Sequence, residues 1–397
     1  MKNQEISREY IKKHTAIVIL AFAEYESLEL SLATHARFSV HAGIPIFILQ
    51  NGRGTYDTER TCAVGRRYQD LYPQTIRVIT HIAPQKPYSA IEELFHDDLF
   101  KEYQYVIKLD DDVMVLTPDW IDKLIDCYIS SLKQEGDKLA YVTTLVNNNP
   151  FGFKTLIDSC PELSREYFSR LARPHQIGNY QDDHYNPYRI VPKETVFDGG
   201  FGTIWRLPYL ARWIHEKTTM QPEHYIQSTS GFPVVEFDTR KRYSINCMMF
   251  ERQLWTDISN GSKDDEEMLH IYCLLNGKKV FADLSVPMVH LAFNSQRNEI
   301  RDMIPKIRTV YERFLALPFP IAVCDNKLVE IENRLRYMEG LRGSTSSRSF
   351  DESTSFKIGH TITFLPRKIR GGIRCYQENG MRYTANRVLV HLGLRNG

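Results

Sequence analysis

The chain has 397 residues, enough for two or three ordinary domains and for a core that needs no staples. Its 50 Lys and Arg against 49 Asp and Glu leave a net charge of +1, which excludes a nucleic-acid binder that works by bulk charge. The longest apolar run, Ala16 to Ala23, is far short of the roughly 20 residues that span a bilayer. The N-terminus, MKNQEISREYIKKH, has no signal-peptide core, so the expected location is cytoplasmic.

In chain order, short apolar runs alternate with amphipathic stretches, the pattern of helices covering a largely parallel sheet. The runs predict strands at Thr15–Phe22, Ile44–Leu49, Ile76–His81, Tyr105–Leu109 and Leu139–Val146. Leu28, Leu32, His35 and Ser39 are spaced as one face of a helix between the first two strands. After the fourth strand, Thr117 is a candidate cap for a helix starting at Pro118, with Trp120, Ile121, Leu124, Ile125 and Tyr128 as its buried stripe. From about residue 147 to 260 the regularity fades into loop-like sequence. It returns with a helix over Asp264–Leu275, whose expected buried face is Met268, Leu269, Tyr272 and Leu275. Two short strands are expected at Lys278–Asp283 and Val286–His290, then a helix from about residue 298 to 317. The seven cysteines (62, 127, 160, 247, 273, 324 and 375) never form a CxxC pair and read as small buried thiols.

Eight of the thirteen residues 343–355 are Ser or Thr, the composition of a flexible linker. Residues 356–397 hold eight Lys or Arg against Glu378 alone, a net +7 that leaves −6 for the preceding 355 residues. Met381, Ala385, Val388, Leu389 and Leu392 can share a helix face there, suiting an amphipathic tail that meets an anionic membrane or a partner subunit.

The sharpest motif is Lys108-Leu109-Asp110-Asp111-Asp112-Val113, directly after a predicted buried strand. Three successive carboxylates repel one another unless a cation compensates. Oxygen ligands of this kind suit Mg2+ or Mn2+, and open α/β sheets bind ligands beyond the carboxyl ends of their strands. A second acidic run, Lys263-Asp264-Asp265-Glu266-Glu267, opens a predicted helix that ends at Asn276-Gly277. Ser262-x-x-Asp265 also fits a capping box. His290 follows at the end of VPMVH, and a glycine-rich segment, Phe197-Asp198-Gly199-Gly200-Phe201-Gly202, lies between the acidic motifs.

Over about residues 14–295 this order of motifs resembles the GT-A glycosyltransferases, inverting and family-2-like, of the type that builds bacterial surface polysaccharide. The resemblance implies an α/β, Rossmann-like GT-A fold with a mostly parallel central sheet flanked by helices. It makes 1–297 a catalytic domain, with a nucleotide-binding half (14–146) and an acceptor half (147–297). A helical extension (298–342), the linker and the tail would follow. Asp110-x-Asp112 is similar to the family's DxD motif, so Asp110, Asp112 and His290 are expected to hold a divalent metal, Mn2+ or Mg2+. Asp110 and Asp111 would also meet the nucleotide, with Ala21, Phe22, Glu24, Asn51 and Lys86 completing its site. Asn51 stands where many relatives place Asp, and Lys86 is the candidate replacement for a frequent Arg upstream of the DxD. Asp198, Gly199, Gly200 and Asp264 would line the donor-sugar and acceptor pocket, and Asp265 would be the general base.

The implied reaction is sugar transfer from a nucleoside-diphosphate sugar to a hydroxyl of a glycan or lipid-linked saccharide, with the tail peripheral on the inner face of the cell membrane. No P-loop, dinucleotide fingerprint, HExxH or GxSxG motif is present. Two other readings stay open: a sugar nucleotidyltransferase, and a non-catalytic membrane-associated scaffold with a degenerate transferase domain.

Overall fold

Strand β1 (Thr15–Ala21) forms the axis of the fold, because TAIVILA is aliphatic at almost every position and is buried on both faces. Near-continuous apolar strands are what a parallel sheet covered by helices requires. In the computed structural model β1 pairs in parallel with β2 (Ile46–Gln50) on one side and β4 (Tyr105–Asp110) on the other, and β2 pairs in parallel with β3 (Ile76–Ile79). The structure describes residues 7–52, 56–171, 208–237, 239, 245–258, 265–291 and 293–319, all within one compact unit.

Around this block the described chain adds α1 (Arg8–Lys13), α2 (Tyr25–Phe38), α3 (Tyr56–Leu71), α4 (Pro87–His96), β5 (Val113–Val115), α5 (Trp120–Glu135) and β6 (Leu139–Val146). Then come α6 (Pro150–Ser159), α7 (Pro161–Glu166), α8 (Pro208–Lys217), α9 (Pro222–Thr229), β7 (Val234–Glu236) and β8 (Cys247–Glu251). The last elements are α10 (Arg252–Asp257), α11 (Asp265–Leu275), β9 (Lys279–His290) and α12 (Phe293–Leu315). The nine strands form one sheet in the order β3-β2-β1-β4-β8-β6-β9-β5, with β7 also on β9. Six of them (β1, β2, β3, β4, β6 and β9) run one way; β8 is antiparallel to β4 and β6, and β5 and β7 are antiparallel to β9. This is the α/β architecture with a mostly parallel central sheet that the sequence predicts.

Several boundaries and one region differ from expectation. Thr117 does not cap α5: its Oγ1 is buried without a hydrogen-bond partner, Pro118 and Asp119 form a turn, and the helix begins at Trp120. The indole fixes that start, since Trp120 Nε1 donates to Ser39 Oγ at 3.1 Å, and the stripe Trp120, Ile121, Leu124, Ile125 and Tyr128 is buried as predicted. Full burial of such side chains contributes about 1.5–3 kcal/mol each. The two strands expected over 278–290 are a single strand, β9, which changes register opposite Thr144 and Leu145 of β6.

The stretch 147–260 is not loop-like where it is described: it holds α6 to α10, β7, and β8, whose first four residues are buried. Cys247-Met248-Met249-Phe250 has neither alternation nor β-branching, so burial on both faces left no periodic trace. On α11, Leu275 is exposed rather than buried, and His270 and Cys273 take the inner face with Met268 and Leu269. Gly277 ends that helix with φ +58°, a left-handed value that glycine adopts without a Cβ clash. Cysteines 127, 160, 247 and 273 are buried and Cys62 is half-buried; 324 and 375 lie outside the described residues, as do the linker and the basic tail. Among the described residues no helix is long and apolar enough to cross a membrane.

The packing of α2 makes a pH prediction. His35 is fully enclosed, with Nδ1 2.8 Å from Ser39 Oγ, and burial lowers its pKa from 6.5 to about 3. A depressed folded-state pKa means that the unfolded chain binds the proton more readily. The stability this neutral histidine contributes is therefore complete above pH 6.5 and lost as pH falls from there toward 3, at up to about 1.4 kcal/mol per pH unit. A His35→Gln protein should show a shallower fall of Tm between pH 6.5 and 4 than the wild type; parallel curves would assign the acid loss elsewhere.

Candidate active site

The carboxyl ends of β1, β2 and β4 point the same way, so the loops at Ala21–Glu24, Asn51 and Asp110–Asp112 meet beyond one edge of the sheet. His290 reaches the same place through β5. Val113 pairs with His290 in antiparallel register, and Leu291 N donates to Asp112 O at 3.0 Å, so the strand following the acidic triplet is laid against the end of β9. One ligand atom from each of Asp110, Asp112 and His290 lies within 4.8 Å of the other two.

These three groups suit a divalent cation. Two carboxylates and an imidazole are a fitting donor set for Mn2+, with the carboxylates also serving Mg2+. His290 Nε2 is 3.3 Å from Asp112 Oδ1; burial opposes charge on this ring, but Asp112 and Asp110 outweigh it and raise its pKa to about 9. The cluster thus draws positive charge onto Nε2, where a bound cation would supply it. The ring is oriented from behind: Asn147 Oδ1 accepts the His290 main-chain N–H at 2.9 Å, and Nδ1 lies 3.3 Å from the Asn148 carbonyl oxygen. Such a contact directs the other ring nitrogen toward a metal.

The acidic groups are held by side chains to which the motifs assign no role. Lys108 Nζ, only 3% exposed, lies 2.9 Å from Asp110 Oδ1 and 3.6 Å from Asp265 Oδ2. Burial pulls its pKa down, but Asp110 and Asp265 more than offset this, so the ammonium stays charged. Asp265 is the first residue of α11, and its Oδ1 accepts Glu266 N–H at 3.1 Å. Glu266 Oε1 accepts Ile245 N–H at 3.2 Å, which ties the helix start to the approach of β8. Lys108 thereby joins the predicted metal ligands to the predicted base. Asn246 donates from Nδ2 to Asp110 Oδ2 at 2.9 Å. Lys108 lies two residues before Asp110 on β4, within the motif but with no role read from it, and Asn246 precedes the unrecognised β8.

On the nucleotide side, Phe22 N–H donates to Asp111 Oδ2 at 2.9 Å, and Gln50 Nε2 donates to Phe22 O at 2.9 Å. Burial and the neighbouring Asp112 carboxylate push the Asp111 pKa up, against the Phe22 N–H. The Phe22 ring is 43% exposed, while Ala21 and Glu24 are buried. The Asn51 side chain is committed to the backbone: it donates to Gln85 O and accepts Gln85 N–H, both at 2.9 Å. That bracket sets exposed Lys86 beside the end of β2. Gly52 permits the close approach of these loops, because a Cβ there would sit 2.2 Å from Thr58 Cγ2 and 2.9 Å from Phe22 O. Asp198, Gly199, Gly200, Asp264 and Ser262 lie outside the described residues.

Fold and site together define an α/β protein with a centre fit for a divalent cation at the carboxyl ends of its parallel strands. No protein-family model matches the chain, and no curated protein matches it. Among solved structures it is similar to a mannosyltransferase from Pyrobaculum calidifontis in complex with GDP-Man and Mn2+ (10% identity, TM-score 0.37, 89% of this chain and 87% of that one). It is similar as well to glucosyl-3-phosphoglycerate synthase from Mycobacterium tuberculosis with Mn2+, UDP and phosphoglyceric acid (14%, 0.34, 79% and 84%). A third is residues 1–349 of S. aureus TarS (8%, 0.34, 85% and 76%).

Proposed function

We propose that the chain is a metal-dependent glycosyltransferase that moves a sugar from a nucleoside-diphosphate donor to a hydroxyl of a glycan acceptor, with inversion at the anomeric carbon, in surface-polysaccharide assembly. The observation that carries this reading is the convergence of Asp110, Asp112 and His290 at the strand ends, with Asp265 joined to them through Lys108. Asp110, Asp112 and His290 would hold the ion, whose charge neutralises the diphosphate leaving group. Asp111 anchors the loop at Phe22, whose exposed side chain would meet the nucleotide. Asp265, 14% exposed at its side chain, would take the acceptor hydroxyl proton, and Lys108 lies between it and Asp110.

A thermal-shift series of nucleoside diphosphates with Mn2+ tests the reading. One base should stabilise the protein by about 2.7 kcal/mol at a hundredfold excess over Kd, and EDTA should remove the effect. The absence of a metal-dependent shift with every nucleotide would count against a nucleotide-sugar donor.

A further inference from the structure

Asp110, Asp112 and His290 do not exhaust the cluster. Asn246 is 7% exposed and enters it from the start of β8. Its main-chain carbonyl accepts Asp110 N–H at 3.1 Å, so the residue is fixed to the end of β4. Its Nδ2 lies 2.9 Å from Asp110 Oδ2 and 3.2 Å from His290 Nε2, and its Oδ1 lies 3.4 Å from Asn149 Nδ2.

Hydrogen-bond valence limits what this amide can do. An amide nitrogen carries two hydrogens, enough for one carboxylate oxygen and one imidazole lone pair. With a cation on Nε2 the ring proton belongs on Nδ1, facing the Asn148 carbonyl oxygen. A cation bound to His290 Nε2 takes the lone pair that Asn246 N–H would otherwise face, so the amide N–H must turn away. Asp110 is not stranded by that turn, because Lys108 Nζ remains 2.9 Å from its other oxygen. Turning the terminal amide over about its last side-chain bond gives up the 2.9 Å bond to Asp110 Oδ2 and the 3.4 Å contact with Asn149, and brings Oδ1 to where Nδ2 stands. A neutral carbonyl oxygen at that position faces the same two ligand atoms and is a donor that Mn2+ and Mg2+ accept.

We propose that Asn246 is a fourth ligand of the divalent-cation centre, presenting Oδ1 by turning over its amide when the ion enters. This rests on the proposed function only insofar as the centre takes a divalent cation. Calorimetric titration of MnCl2 into the full chain, with no nucleotide or acceptor present, decides it. Asn246→Ala should bind Mn2+ about 10–100-fold more weakly than the wild type, the range for losing a side chain that supports a metal. Asn246→Asp, which keeps an oxygen in place and adds charge, should bind at least as tightly as the wild type. If Asn246→Ala binds Mn2+ equally or more tightly, the amide only competes with the ion and the inference is overturned. Should the alanine protein fail to fold, a folded Asn246→Asp that binds more weakly than the wild type overturns it too. A wild-type chain that binds no Mn2+ removes the metal centre itself, an outcome distinct from any effect of the variants.

Discussion

Asp112→Ala is expected to bind nucleoside diphosphate no better with Mn2+ than without it. The carboxylate is one of the three His, Cys, Asp or Glu side chains whose ligand atoms gather within 4.8 Å of one another among the described residues, and its side chain is 10% exposed. The strand pairing at this residue runs through main-chain groups: Val113 still pairs with His290, and Leu291 N–H still finds Asp112 O. The loss should therefore fall on the metal, by roughly a hundredfold or more in Mn2+ affinity, the upper end for perturbing a metal site's support. Calorimetry with Mn2+, with nucleoside diphosphate, and with both together measures it, and Tm in EDTA checks that the variant is folded. Unchanged metal-dependent nucleotide binding would remove Asp112 from the centre.

What the sequence reveals of this site divides along physical lines. Runs such as Thr15–Ala21 and Leu139–Val146 are legible because a strand buried on both faces must be apolar at nearly every position. Asp110 and Asp112 are legible because adjacent acids after such a strand are costly without a purpose. Asn246 is not, since its reach to Asp110 is set by β8, whose Cys-Met-Met-Phe core lacks a strand's usual composition, and Lys108, though two residues before Asp110 on β4, carries no sequence sign of its second partner, Asp265. The family resemblance points to His290, and the structure adds the cause: β5 pairs Val113 with it, so a register, not a motif, brings the imidazole to the acids. Thr117 shows the opposite failure, a sound local cap signal overridden when Trp120 anchors to Ser39 across the helix pair.

Asp265→Asn separates chemistry from binding. Asparagine keeps an oxygen for Glu266 N–H, and Glu266 and Glu267 still place negative charge in the first turn of α11, so the helix start should hold. Lys108 loses one partner at 3.6 Å but retains Asp110 at 2.9 Å and the Ile245 carbonyl oxygen at 3.4 Å, which spares it from being a buried unpaired charge. Mn2+ and nucleotide affinity should therefore stay within a few-fold of the wild type. An amide cannot accept the acceptor's proton, so sugar transfer should fall by about 10²–10⁴, the usual contribution of a positioned general base. Single-turnover transfer under saturating donor, read beside calorimetric donor binding, distinguishes the two effects. A variant that transfers at near wild-type rate would exclude Asp265 as the base and favour a mechanism in which no side chain deprotonates the acceptor. One that loses transfer and donor binding together would instead make Asp265 a support of the metal centre acting through Lys108.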